Sequence, residues 1–406
     1  MITRAAGVAR ALARVALVTV AALAGGGCAS GGPILANPPA QLPIVIDPTE
    51  APTAVLDPVP VELPRDDGPH DRLTEWWYYT GHLRDGAGGR YGFEFVIFRA
   101  ERGAFPVTWA SHLAVTDEAG DRFWYAQRAE FGRQVDRSPR DDGGQPLGFD
   151  LSLSGIDPTR PATLRQPAWT MAGANGDDRL AAALSAEEAA AAGIPGGLAL
   201  DLRLDTVKPA VLHDGDGWID FGAAGGSYYY SRTAMEAGGT LELDGRTIDV
   251  VGSAWFDHQW GDFIAVGGGG WDWFAVNLDD GTDLTVSLVR DADGSYPLVY
   301  GTIVDADGTS RHLDRDAFAL DVLGRWQSTS TGADYPAGWR ISIPGDDLVI
   351  ELEPTVADQE LDTRATTGVV YWEGSQHVRA SRAGVALGGT AYVELTGYAP
   401  ATAESP

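Results

Sequence analysis

The sequence holds one cysteine, Cys28, among 406 residues. With no second thiol there is no internal disulfide, so the folded region must hold together through its core. Positive charge is scarce: Lys and Arg number 29 against 57 Asp and Glu, for a formal net charge of −28. So acidic a surface excludes nucleic acid as a partner, because phosphates need basic contacts. It equally disfavours adsorption to anionic lipid. No G-x-S-x-G elbow occurs, which removes a serine hydrolase of the α/β type. The seven histidines never fall at i, i+2 or i, i+4, and no HExxH is present, so a local zinc motif is missing. Only a site assembled across strands would leave room for a metal, and the expectation is chemistry without metal or cofactor. "GGGGWDW" at 267–273 lacks the lysine and the following helix of a phosphate loop; it reads as a turn able to act as a lip.

What is present begins with a leader. Arg4, Arg10 and Arg14 precede an apolar run from Val15 to Ala24, too short to span a bilayer stably. "GGGCAS" follows, with Cys28 where a bacterial lipoprotein carries its acylated cysteine and Gly25 in place of the usual Leu or Val. Residues 1–28 are thus expected to be an export signal ending in a lipid anchor at Cys28, with the protein a cell-envelope lipoprotein on the periplasmic or outer surface face of a membrane. Residues 29–65 are Pro-rich and aperiodic, an extended tether. Beyond them come short alternating runs such as "YGFEFVIF" (91–98), "LALDLRL" (198–204), "LVIELE" (348–353) and "AYVELTG" (391–397). Asp-Gly pairs at 280–281, 293–294 and 307–308 are hairpin signals. One helical patch stands out, "SAEEAAAAG" (185–193), with Ser185 as its cap. The pattern predicts an all-β protein.

"WWYYTGHLRDGAGGRYGFEFVIFR" from Trp76 lines up with "WDWFAVNLDDGTDLTVSLVR" from Trp271: Trp76 falls on Trp271, Leu83 on Leu278 and Gly86 on Gly281. Such recurrence predicts two copies of one β architecture, placed at 66–237 and 238–400 with 401–406 as a tail. Each copy is the size of a barrel or half-barrel able to enclose one small ligand.

"EWWYYTGHL" (75–83), "SYYYSRT" (227–233), "GSAWFDHQWGD" (252–262) and "YWEGSQ…TAYVELTGY" (371–398) occur in that order. Together they resemble the carotenoid 1,2-hydratase and AttH group of predicted secreted hydrolases. The resemblance implies two tandem lipocalin-like antiparallel β-barrel or half-barrel domains packed together. It offers several functions: hydration of a terminal isoprenoid double bond, cyclisation as in fungal relatives, or service to an ABC-type export system. In the hydratases the His-x-Trp of the motif is joined by a tyrosine and an aspartate on a strand 25–30 residues later. Here that strand reads "LTVSLVRDAD", with Thr285 and Ser287 near those places.

Hydration of an alkene needs a strong acid near carbon and a surface that stabilises a carbocation. Asp257 and His258 could form a tuned carboxylate–imidazole pair. Trp255 and Trp260 could face the cation. Adjacent strand residues point to opposite faces, so the pair shares a site only if the strand bends near Gly261. In a straight strand, His258 lies with Trp260 and Asp257 with Trp255. Glu75, beside so much aromatic surface, is expected to have a raised pKa if buried. Trp76, Trp77 and Tyr79, His112, Tyr229, and Trp271 with Trp273 complete the candidate ligand surface, against the plainer reading of Trp76 and Trp77 as a barrel plug. The expectation is an apolar, isoprenoid-like ligand handled by acid–base chemistry at His258, Asp257 and Glu75. The alternative is a non-enzymatic lipid carrier working with an ABC-type exporter.

Overall fold

The computed structural model describes residues 57–154, 167–194, 196–263 and 269–400. Cys28, the leader, most of the tether and the tail lie outside the described residues, as do two of the glycines at 267–270. Two antiparallel sheets make up most of the rest. The twelve-stranded first sheet runs Arg122–Phe131, Thr108–Asp117, Arg90–Ala100, Thr74–Asp85, Arg246–Gly261, Gly226–Leu243, Leu198–Thr206, Asp177–Ala183, Trp169–Ala174 and Phe149–Leu153, with two short strands added on Gly226–Leu243. It curls into a nearly closed barrel around a core that includes Trp77, Phe93, Phe95, Trp109 and Trp169. The eleven-stranded second sheet forms a half-barrel around Phe274, Trp339, Ile350 and Trp372.

The internal repeat is one topology built twice. Thr74–Asp85 lies between its hairpin partner Arg90–Ala100 and the late strand Arg246–Gly261. Gly270–Leu278 lies likewise between Asp283–Arg290 and Gly389–Thr396. All three Asp-Gly pairs make hairpin turns, with Gly281, Gly294 and Gly308 at φ 83, 82 and 87°, where a side chain would be strained. The helix forms at Ala186–Ala191, with Ser185 and Glu188 closing a capping box. Two boundaries differ from the sequence reading. The position 237/238 falls inside Gly226–Leu243, and the first sheet continues to Gly261 before the chain crosses over. The last residues of the expected tether also join the fold: Val59, Val61 and Leu63 pack on the first core, and Asp57 pairs with Arg72.

Burial along the strands tells which faces are covered. Leu198–Thr206 alternates buried leucines with exposed Asp and Arg, as a strand with one wet face must. Every residue from Tyr91 to Ala100 is buried, because the outer face of that strand packs against the second sheet. The two sheets therefore meet in a seam. Tyr78, Val96, Phe98 and Trp255 come from one side, and Trp273, Ala275 and Tyr392 from the other. Gly92 lets them approach: a Cβ there would lie 2.9 Å from both Ser375 and the Tyr392 hydroxyl.

One end of the seam is clamped by charge. Lys208 Nζ donates to Asp283 Oδ2 at 2.7 Å and to the Gly281 carbonyl at 2.6 Å. Asp283 also accepts from Thr233 and Asn277. Truncating it to alanine strands a buried ammonium. Asp283→Ala is expected to cost about 3–5 kcal/mol in urea denaturation, whereas Asp334→Ala, in an exposed pair with Arg325, should change stability by less than about 1 kcal/mol.

Candidate functional site

The strand Arg246–Gly261 is paired on both sides. Its register with Thr74–Asp85 runs unbroken from Gly261 to Val250, and its register with Gly226–Leu243 shifts only beyond Phe256. No bend reorients Asp257, so Asp257 and His258 point to opposite faces and cannot share one site. His258 lies with Phe256 and Trp260 inside the barrel, and Asp257 lies with Trp255 in the seam.

Asp257 is buried in the seam. Its Oδ1 accepts from Trp255 Nε1 at 2.6 Å and from the Ser231 hydroxyl, and its Oδ2 accepts from Tyr229 at 2.5 Å. Burial raises its pKa to about 6, although all three donors oppose the rise. Trp273 Nε1 donates to the Tyr229 hydroxyl at 3.0 Å, and His213 links Ser231 to Thr302 through contacts of 2.7 and 2.9 Å. A few strands away stand three further carboxyls. Glu94 is pushed up to about 8, first by burial and then by Glu394, against a hydrogen bond from Tyr371. Glu394 is raised to about 7 by burial, with Asp257 adding to the rise. Glu373, which accepts from Tyr78 at 2.8 Å, is raised well above the usual range by burial and by both neighbouring glutamates. Among the described residues Glu94 Oε2 and Glu373 Oε2 have no hydrogen-bond partner. The seam is a wall of Trp and Tyr rings around carboxyls that hold their protons to a higher pH than free carboxyls do.

The second cluster sits at one end of the barrel. Glu75, wholly buried, accepts from His70 Nδ1 at 2.7 Å and from His258 Nε2 at 3.0 Å, both at Oε1. The His70 backbone N–H also donates to Oε2 at 3.0 Å. Burial alone would raise Glu75, as the sequence suggested. The His70 charge and the two imidazole hydrogen bonds reverse that and hold it at about 2. His70 is raised by the same contacts despite its own burial, and His258 is lowered by burial. The arrangement sets one carboxylate between two imidazoles, His70 made more basic and His258 less. Trp260 stacks on His70 at 4.1 Å and Trp77 on His258 at 4.7 Å.

The remaining candidates divide between these places. Trp77, Tyr79 and Trp260 are barrel core, and Tyr79 donates to Asp178 at 2.8 Å. Trp76, Trp255, Trp271, Trp273 and Tyr229 line the seam. His112 faces it too, within 2.7 Å of the Tyr371 hydroxyl, and burial lowers its pKa to about 3. Thr285 and Ser287 are buried on the strand opposite Trp273 and supply no carboxyl there. The sequence reading missed Glu94, Glu373 and Glu394. Each is a lone acid in an apolar run, which looks like a solvent face until a second sheet covers it.

A family model described as AttH-like matches residues 54–398. The chain belongs to the AttH-like family. The crystal structure of a Nitrosomonas europaea protein assigned as an AttH superposes with a TM-score of 0.68 at 30% identity, covering 85% of this chain and 99% of that one. Kievitone hydratase of Nectria haematococca shares the fold, with a TM-score of 0.57 at 15% identity over 84% of this chain and 93% of its own. The dehydratase asqC of Emericella nidulans is 26% identical over 164 residues, 38% of this chain and 45% of that protein, so the match takes in less than half its length.

The buried acids set a pH dependence. Glu94 and Glu394 hold protons to about 8 and about 7 in the fold but lose them near 4.5 when unfolded. Their contribution is complete below about pH 4.5 and vanishes as pH rises through 7 and 8. The neutral histidines His112 and His213 act the other way, but only below 6.5. Thermal stability is therefore expected to fall between pH 6.5 and 8.5, and Glu94→Gln to remove roughly 1–2 kcal/mol of that fall.

Proposed function

We propose that the protein adds water to, or removes it from, an apolar unsaturated molecule held at the seam, with Asp257 as the acid–base group. The observation that carries this reading is Asp257 itself: a buried carboxyl tuned to about 6, next to Trp255 and Tyr229. A group with that pKa exists in both forms near neutrality, as a proton donor to carbon and an acceptor from water require. In the hydration direction its proton forms the new C–H bond. The cation then faces the rings of Trp255, Trp273 and Tyr78, a contact worth about 2 kcal/mol where water is excluded. Water supplies the C–O bond, and its surplus proton returns to the Asp257 carboxylate. Tyr229 and Ser231 position that carboxylate. Glu75 and His258, on the other face of the strand, are outside this reaction.

The names of kievitone hydratase and the dehydratase asqC are consistent with this class of reaction. The proposal also takes over from the sequence export and anchoring through Cys28. A second reading rests on the saturation of Asp257, whose two oxygens already accept three hydrogen bonds, as in a purely structural carboxylate. On that reading the seam carries a lipid, to or from an ABC-type exporter, without transforming it.

The first step of the test is solvent extraction of the purified protein and mass spectrometry of what is released. The identified molecule is then incubated with protein in 18O-labelled water. Gain of labelled water, or its loss from a labelled alcohol, is expected, and Asp257→Asn should slow it by about 10²–10⁴-fold while the ligand still co-purifies. An unchanged molecule with the native protein would leave only the carrier, and undiminished turnover in Asp257→Asn would remove Asp257 as the acid–base group.

A further inference from the structure

The barrel-end cluster lies on the opposite face of Arg246–Gly261 from the seam, and the proposed reaction does not use it. His70 Nδ1, Glu75 Oε1 and His258 Nε2 come from a loop, the first strand and the strand that closes the sheet, and all three atoms lie within 4.8 Å of one another. Two imidazoles and one carboxylate are a donor set suited to a zinc-class divalent ion. We propose that this triad is a binding site for such an ion, independent of the seam chemistry.

Several features fit. The three donors are held before any ion arrives: Glu75 by its strand and by the His70 backbone N–H, and the two rings by stacking on Trp260 and Trp77. His70 Nε2 points to Asp66 Oδ1 at 3.5 Å, and Asp66 is fixed in turn by Arg65 and the Glu62 backbone N–H. A carboxylate behind a ligating histidine sets its tautomer and orientation. His258 Nδ1 has no hydrogen-bond partner among the described residues, so nothing on its far side competes for the proton that ligation through Nε2 would move there. The His70 side chain retains 19% of its exposure, which leaves the triad one approach from solvent and a fourth position for water.

The geometry also says what must change. Contacts of 2.7 and 3.0 Å to Glu75 Oε1 are hydrogen bonds, and a tetrahedral ion needs ligand atoms roughly 3.3 Å apart. The triad therefore opens by a few tenths of an ångström, and His70, on a loop outside the sheets, is the member free to give. Ligation needs Nδ1 of His70 and Nε2 of His258 free of protons, so binding competes with protons and weakens as pH falls. Arg99, whose guanidinium lies 4.0 Å from Glu75 Oε2, disfavours a second cation and leaves Oε1 as the ligating oxygen.

The test uses the purified protein, stripped with EDTA and titrated with zinc chloride by calorimetry in two buffers of different ionisation enthalpy. One zinc per chain is expected, with net proton release and a rise in Tm at saturating zinc. His70→Asn and His258→Gln should each weaken binding by at least about a hundredfold. His70 lies outside the sheets, so its variant keeps the test decisive if the His258 substitution fails to fold. His312→Asn, near Asp214 and Asp314 on the surface, should bind as the native protein does. Absent binding, undiminished binding in His70→Asn, or a loss found only in His312→Asn would each overturn the proposal.

Discussion

The second sheet covers the outer face of the first, so the strands between them must bury both of their faces. The period-two alternation of a strand then no longer separates inside from outside. It separates one interior from another. From residue 253 to 261 of the strand Arg246–Gly261 the odd positions enter the seam and the even ones the barrel, so two neighbouring residues with acid–base side chains serve different environments. Both environments exclude water, and in both the ionised form of a lone carboxyl is costly. What differs is the company: imidazoles beside Glu75, and hydroxyls, indoles and other acids beside Asp257.

That difference produces opposite proton affinities from similar burial. Glu75 gains two hydrogen bonds from histidines, one of them charged, and stays ionised. Glu94 and Glu373 accept from phenols, Glu394 stands beside them, and all three hold protons to a higher pH than a free carboxyl does. Neutral acids in the seam avoid the repulsion that three carboxylates would suffer there, which lets the two sheets press together around Gly92. Chemistry and cohesion thus draw on the same protons.

Much of the fold was legible in the sequence because it depends on local signals. The Asp-Gly turns, the Ser185 cap and the recurrence of the Trp76 segment at Trp271 all reflect backbone constraints that act within a few residues. The family resemblance then supplied the tandem arrangement. The boundary at 237/238 was misplaced because the strand through it is unusually long, 18 residues, and the Asp244-Gly245 turn that ends it leads into another strand of the same sheet. The site was less legible. Whether Asp257 and His258 meet depends on unbroken pairing with both flanking strands, one of which, Thr74–Asp85, is distant in the sequence. The role of Glu94 depends on what covers it, and periodicity cannot report that. The His70–Glu75–His258 triad has no local spacing to recognise, since its third member arrives 183 residues after its second.

The chain enters the described fold across the end of the barrel, and its first contacts are discrete ones. Asp57 grips Arg72 and the Tyr228 hydroxyl, and Arg72 also holds Asp262. A load arriving from the N-terminal side would meet these bonds before it reached the strand Thr74–Asp85, which is hydrogen-bonded on both flanks over nearly its whole length and shares force among many bonds. The entry segment is also a plug: pulled away, it would take Asp67 from Tyr230 and the buried Arg232 and open the barrel end.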